Sequence, residues 1–213
     1  MNGVIIDDEN IHELAFKKTV KPFGINLSHQ DYLNCCAGKT DRAGYESIAV
    51  EYKKKLPIDK LLQQKSKTYL QLFPENKKSY PGVIELIHHL SKDYLLSVTS
   101  SSSRVEVDLI TREFGIDKYL NTTISANDVK NGKPNPEPYL ITCEKLFISP
   151  KEAVVIEDSI SGVISAKSAG CFCIGITTTH TSKDLLTCDL IVNSFAEINS
   201  EVVNSFHTQT TNE

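Results

Sequence analysis

The spacing of apolar positions divides the chain into two textures. From Glu9 to about Leu72 the spacing is helical: Ile11, Leu14, Ala15 and Phe16 recur on one face, Pro22-Phe-Gly24 interrupts, and Ser28 is placed to cap the next segment. Tyr45, Ile48, Ala49 and Tyr52 mark another amphipathic face, and Leu61, Leu62, Tyr69 and Leu72 a further one. No strand pattern occurs here, so the region predicts a small helical bundle. After Tyr80-Pro81-Gly82 the texture changes. Short apolar runs at Tyr94–Val98, Asn121–Ser125, Ala153–Ile156, Phe172–Ile176 and Leu190–Val192 alternate with helical stripes at Val83–Leu90, Val105–Phe114, Tyr139–Leu146 and Val163–Ala169. That alternation predicts an α/β fold, a parallel sheet with helices on both faces. The polar stretch after Val203 is expected to fray.

Composition narrows the classes. The 213 residues are 40% hydrophobic and 23% charged, which suits a globular chain with a real core. A net charge of -4 gives no electrostatic reason to expect nucleic acid or an anionic membrane. No apolar stretch approaches the ~20 residues that span a bilayer, and the start lacks a basic region followed by an apolar one. Cys35, Cys36, Cys143, Cys171, Cys173 and Cys188 include no C-x-x-C pair, so the expectation is six reduced, mostly buried thiols in a cytoplasmic protein. Monomer is the default.

In open parallel sheets ligands bind beyond the carboxyl ends of the strands, so the residues just after each apolar run carry the chemistry. Thr99 to Ser103 puts hydroxyls and backbone N–H groups at a strand-to-helix turn, which suits phosphate; the plainer reading is that Ser101 or Ser102 caps the helix. Lys133, held between Gly132 and Pro134, can aim an ammonium into a cleft, or it is a solvated loop lysine. Glu157 and Asp158 follow Val154-Val155-Ile156 directly. Two adjacent carboxylates at a buried strand end call for a hard cation such as Mg²⁺, unless Asp158 only caps the next helix. Together the three points indicate Mg²⁺-assisted phosphoryl chemistry.

The run AVVIEDSISGVISAKSAGC resembles the fourth motif of haloacid-dehalogenase-superfamily phosphatases and mutases, NDVKNGKPNPEPYL the third, and LLSVTSSSSR the second. SYPGVIELIHHL resembles the return from the family's cap domain, DDENIHELAFKKTVKPFGI the segment leading into it, and the helical region the cap of the β-phosphoglucomutase-like branch. The resemblance covers nearly the whole chain. It implies a Rossmann-like core with an inserted helical cap: residues 1–8 as a remnant of the first motif and linker, 9–78 as cap, 79–204 as core and 205–213 as a flexible tail. It makes Ser100 the phosphate-binding hydroxyl, with Ser101 lending its N–H, Lys133 the phosphate-holding lysine, and Glu157 and Asp158 the Mg²⁺ ligands. In the cap it points to His12, Lys39 and Arg42 as substrate contacts.

The opening, Met1 to Glu9, is where this sequence departs from the family. The first motif of the family is an apolar strand ending in Asp-x-Asp-Gly, whose first Asp is the nucleophile and whose second is the acid/base. In one alignment Asn2-Gly3 takes the place of the second Asp and the Gly, so the nucleophile and the central strand of the sheet are missing or replaced. In the other, Val4–Ile6 is the strand, Asp7 the nucleophile and Glu9 the acid/base. Helical periodicity from Glu9 leaves no turn after Asp7, which favours the first. The resemblance then implies a phosphatase or phosphomutase for a small phosphorylated metabolite such as a sugar phosphate, impaired by the absent aspartate. The alternative is a non-catalytic module binding a phosphorylated ligand or a protein.

Overall fold

The computed structural model describes residues 1–37 and 39–207. They form two compact units, one of Met1–Asp7 with the chain from Ser79 onward, the other of Asp8–Lys78.

Among its described residues, Asp8–Lys78 holds four α-helices: α1 (Glu9–Val20), α2 (His29–Cys35), α3 (Asp41–Glu51) and α4 (Ile58–Asn76). Ser28 starts α2 through a reciprocal cap with Asp31, and Thr40 starts α3 by accepting from the Ala43 N–H. The helical stripes meet in a core of Phe16, Val20, Tyr32, Tyr45, Ile48 and Leu61. Charged side chains are buried here as well, Asp8 and Lys65 among them. Lys65 on α4 is 2% exposed, with Nζ 2.5 Å from Asp41 Oδ1, 2.9 Å from His12 Nδ1 and 4.9 Å from the centre of the Phe16 ring. A buried ammonium survives because opposite charge and hydrogen-bond partners replace water. His12 also faces Asp8 at 3.2 Å and stacks on Tyr69, whose hydroxyl donates to Asp8 at 2.6 Å.

In the other unit every strand pairing is parallel. The strands are β1 (Ser97–Thr99), β2 (Thr122–Ile124), β3 (Val154–Glu157), β4 (Phe172–Ile176) and β5 (Leu190–Val192); the helices are α5 (Val83–Leu90), α6 (Arg104–Glu113), α7 (Glu137–Leu146), α8 (Ile160–Ala169) and α9 (Ser200–His207). The strands form two pieces, β1-β2 and β3-β4-β5. Helix α7 packs on β1 and β2, and α8 on β3 and β4. Among the described residues β1 and β3 pair on one side only. A largely apolar cavity of about 400 Å³, lined by Val98, Thr99, Val155, Ile156, Met1 and Ile5 among others, touches both strands. The hydroxyl of Ser97 is buried there without a partner.

The structure revises three expectations. Val4–Ile6 is not a strand: Gly3, at φ +74°, turns the chain, and the N–H groups of Val4, Ile5 and Ile6 converge on the Met1 carbonyl. Asp7 therefore follows a turn and not a strand tip, which removes the basis of the second alignment. Strand β1 begins at Ser97 and not Tyr94, because the Leu96 N–H is taken by the Asn121 side chain and Leu95 is exposed. The tail is helical as far as His207, because Phe206 is buried against Phe172; residues 208–213 of the expected tail lie outside the described residues. No helix among the described residues is long and apolar enough to cross a membrane.

Candidate active site

The polar residues at the carboxyl ends of β1 and β3 meet. Strand β1 ends at Thr99, and the Ser100 N–H continues its ladder to the Ile124 carbonyl at 2.9 Å. Ser100, buried, accepts from the Ser102 N–H at 3.1 Å, while Ser101 is exposed at the apex of the turn. The helix cap belongs to Ser103, in a reciprocal pair with Glu106, and not to Ser101 or Ser102. That leaves the first three serines to shape the turn. Arg104 fixes its far side, donating to Thr123 Oγ1 at 2.6 Å and pairing with Asp128.

Lys133 arrives from the loop before α7. Glu137, the first residue of that helix, accepts from the N–H groups of Lys130 and Asn131 at 2.6 and 3.1 Å, so the helix start holds the loop shut. The lysine is thereby aimed inward and is not a solvated loop residue. Its Nζ lies 2.5 Å from Glu157 Oε1, 3.2 Å from the Thr99 carbonyl and 4.8 Å from the centre of the Tyr139 ring. The Tyr139 hydroxyl donates to the same Glu157 oxygen at 2.6 Å. The other Glu157 oxygen takes the N–H groups of Asp158 and Ser159 and the Ser159 hydroxyl. Burial pushes the Glu157 carboxyl up, but Lys133, the Met1 ammonium and the Tyr139 hydroxyl together hold it down at about 2. Asp158 moves the other way: burial and the neighbouring Glu157 charge raise it, against the hydrogen bond from Thr179 Oγ1 at 2.5 Å. The doublet is thus split into a permanently ionised anchor and a second carboxyl that gains most from an added cation.

The opening residues close the site. Asn2 Oδ1 accepts from the Ser102 hydroxyl at 2.9 Å, and the Gly3 carbonyl from the Thr178 hydroxyl at 2.5 Å. A Cβ on Gly3 would lie 2.0 Å from Asp158 Oδ2, and one on Gly162 2.0 Å from Glu157 Oε2. Both carboxylates are therefore gripped by backbone that only glycine permits.

Among the described residues no three His, Cys, Asp or Glu side chains come together to hold a metal alone. Both carboxylates accept protein donors, Glu157 from Lys133, Tyr139 and the Asp158 and Ser159 N–H groups, and Asp158 from Thr179. Asp158 faces the opening backbone, where a Cβ on Gly3 would meet its carboxylate. That arrangement fits Mg²⁺, which takes one or two carboxylates and completes its shell with phosphate oxygens and water.

The structure thus brings Ser100, Lys133, Glu157, Asp158 and Asn2 into one connected set of contacts. The other sequence candidates lie in the helical unit, each with local partners. His12 is held by Asp8 and Lys65, Lys39 by the Asn34 carbonyl at 2.9 Å, and Arg42 by Asp59 at 2.5 Å. Sequence reasoning missed Tyr139, which looked like one more apolar position of a helix stripe. It also missed Thr179 as the Asp158 partner, although Thr179 follows the apolar run Phe172–Ile176 by three residues.

Comparison with known proteins agrees with this architecture. Residues 1–176 match the family described as haloacid dehalogenase-like hydrolase. The phosphorylated carbohydrates phosphatase of Thermotoga maritima is 33% identical over 175 residues, covering 80% of this chain and 79% of that one. The validoxylamine A 7'-phosphate phosphatase of Streptomyces hygroscopicus subsp. limoneus is 36% identical over 118 residues; the match covers 55% of each, so the chain spans about half of that relative. Among solved structures, a family IA, variant 3 hydrolase from Entamoeba histolytica superposes with TM-score 0.82 at 27% identity, and a candidate β-phosphoglucomutase from Thermotoga maritima with 0.79 at 28%. Each covers 98% of this chain and 96% of the other. On these matches, and on a parallel α/β core bearing the strand-end site described above, the chain belongs to the haloacid dehalogenase-like hydrolases.

Proposed function

We propose that this chain holds the phosphoryl group of a small phosphorylated metabolite, such as a sugar phosphate, at the carboxyl ends of β1 and β3, in a site of the phosphatase and phosphomutase type. The observation that carries the reading is the Lys133 ammonium, fixed between Glu157 and the Thr99 carbonyl at the foot of the Ser100–Ser102 turn. The ammonium offsets the charge of the phosphoryl oxygens, and the Ser100 hydroxyl and Ser101 N–H donate to them. Asp158 is the side chain that would hold Mg²⁺, whose chemistry there is to neutralise those same oxygens.

Turnover is a separate matter. The family resemblance assigns proton transfer to the residue at the place of Asn2, and an amide does not exchange that proton at neutral pH. Asn2 therefore leaves the phosphoryl group bound without efficient proton transfer. The test is hydrolysis of an aryl phosphate and of a panel of sugar phosphates with Mg²⁺. The expected rate for residues 1–213 is near background, and joining an apolar strand ending in Asp-x-Asp ahead of Asn2 raises it to a level that Lys133→Ala abolishes. Robust hydrolysis by residues 1–213 alone contradicts the assignment.

A further inference from the structure

Four cysteines line one side of the β3-β4-β5 sheet. Cys143 on α7, Cys171 and Cys173 share a buried cluster, and Cys188, half-buried, packs against it from the segment before β5. Cys143 and Cys171 lie within the buried cluster, and the sulfurs of Cys173 and Cys188 are 3.9 Å apart.

The second pair differs from the first in access. Cys143 and Cys171 are both buried, whereas Cys188 sits between exposed Thr187 and exposed Asp189. The backbone already ties Cys188 to its partner strand: the Asp189 N–H donates to the Cys173 carbonyl at 2.9 Å, and the Asp189 carboxylate accepts from the Cys173 N–H at 2.7 Å. The two thiols thus belong to neighbouring, hydrogen-bonded stretches of chain. A disulfide needs the sulfurs to close from 3.9 Å to about 2.05 Å. Contact with Cys173 also lowers the Cys188 thiol, whereas burial and the thiol contact raise Cys173.

We propose that Cys173 and Cys188 form an oxidation site that takes one hydroperoxide and becomes an intramolecular disulfide. The Cys188 thiolate attacks one peroxide oxygen, the O–O bond breaks, and the departing hydroxide takes a proton to leave as water. This leaves a sulfenic acid on Cys188. The Cys173 sulfur then attacks that Sγ; the S–S bond forms, the S–O bond breaks, and the Cys173 proton leaves with the hydroxyl as the second water. The two sulfurs together lose two electrons and the peroxide gains them. Cys173 lies near the start of β4, whereas Thr178, Thr179 and His180, which hold Gly3 and Asp158, follow its end. The crosslink therefore closes the Thr177–Asp189 segment at the end remote from the phosphoryl site.

The test treats the folded 213-residue protein with hydrogen peroxide, blocks remaining thiols, and maps peptides by mass. The expected result is a dithiothreitol-reversible loss of two hydrogens, with a Cys173–Cys188 crosslinked peptide. The crosslink vanishes in Cys188→Ser and persists in Cys143→Ser, both variants first shown to melt cooperatively. The proposal is overturned if peroxide leaves Cys173 and Cys188 alkylatable, carries Cys188 to sulfinic acid without a crosslink, or joins a different pair. It stands apart from the reading of the phosphoryl site, which needs neither cysteine.

Discussion

Lys133 and Glu157 form one buried ion pair, Nζ to Oε1 at 2.5 Å, with side chains only 9% and 6% exposed. It joins the loop before α7 to the tip of β3, and so links the two pieces of the sheet at the proposed phosphoryl site.

Breaking a buried pair from one side leaves an uncompensated charge. Lys133→Met is expected to destabilise the core by about 3–5 kcal/mol, and Lys133→Met with Glu157→Gln by less, because the second change removes the stranded carboxylate. Urea unfolding of Lys133→Met, Glu157→Gln and the double variant closes the cycle. A double-variant loss equal to the sum of the two single losses would show that the pair is not coupled.

The glycines beside the carboxylates are steric requirements. Gly162→Ala puts a Cβ 2.0 Å from Glu157 Oε2 and is expected to lose about 1–3 kcal/mol, as overpacking does. Gly24→Ala is the control: φ is positive there too, at +72°, but a Cβ would meet nothing within 4 Å. Thermal melts should therefore show clashing Gly3→Ala, at φ +74°, well below Gly24→Ala.

Two buried serines should respond in opposite directions. Ser97 Oγ has no partner, so Ser97→Ala removes an unsatisfied group and is expected to be neutral or to stabilise by about 1 kcal/mol. Ser165, fully buried, donates to the Asn135 carbonyl at 2.6 Å, and Ser165→Ala is expected to cost about 1–2 kcal/mol. Denaturant midpoints of the two variants decide it.

Acid stability follows from Asp128. The Ser125 hydroxyl and N–H, helped by Arg104, lower its carboxyl from 3.8 to about 2. A depressed folded value means that the folded state binds fewer protons than the unfolded one across that interval. The contribution is complete above pH 4 or so and is lost as pH falls towards 2. Asp128→Asn should thus be less stable near neutrality and show a flatter stability profile between about pH 4 and 2. Unfolding midpoints measured across that range check both limbs.

Much of the site was legible because its members sit just beyond apolar runs, where chain direction alone places them at one edge of a parallel sheet. Ser100, Lys133, Glu157 and Asp158 needed no long-range information. Tyr139 and Thr179 did: each reaches its carboxylate only once a helix or loop from elsewhere is packed against β3. The buried Lys65 was hidden for the same reason, since a lysine on an amphipathic helix reads as solvated until Asp41 and His12 are seen beside it. Val4–Ile6 is the opposite case. Three apolar residues offer a strand as the alternative, but helical spacing from Glu9 argues against it, and Gly3 turns the chain first. At the far end, Phe206 extends α9 through a contact with Phe172 that the polar sequence around it conceals.

The central claim is tested most directly by titrating inorganic phosphate into residues 1–213 with and without Mg²⁺, by calorimetry. The account predicts saturable binding that strengthens with Mg²⁺, weakens at least tenfold in Lys133→Ala, and proceeds without phosphoryl transfer. Absence of binding in the intact, cooperatively folded protein, or binding indifferent to Lys133, would contradict it.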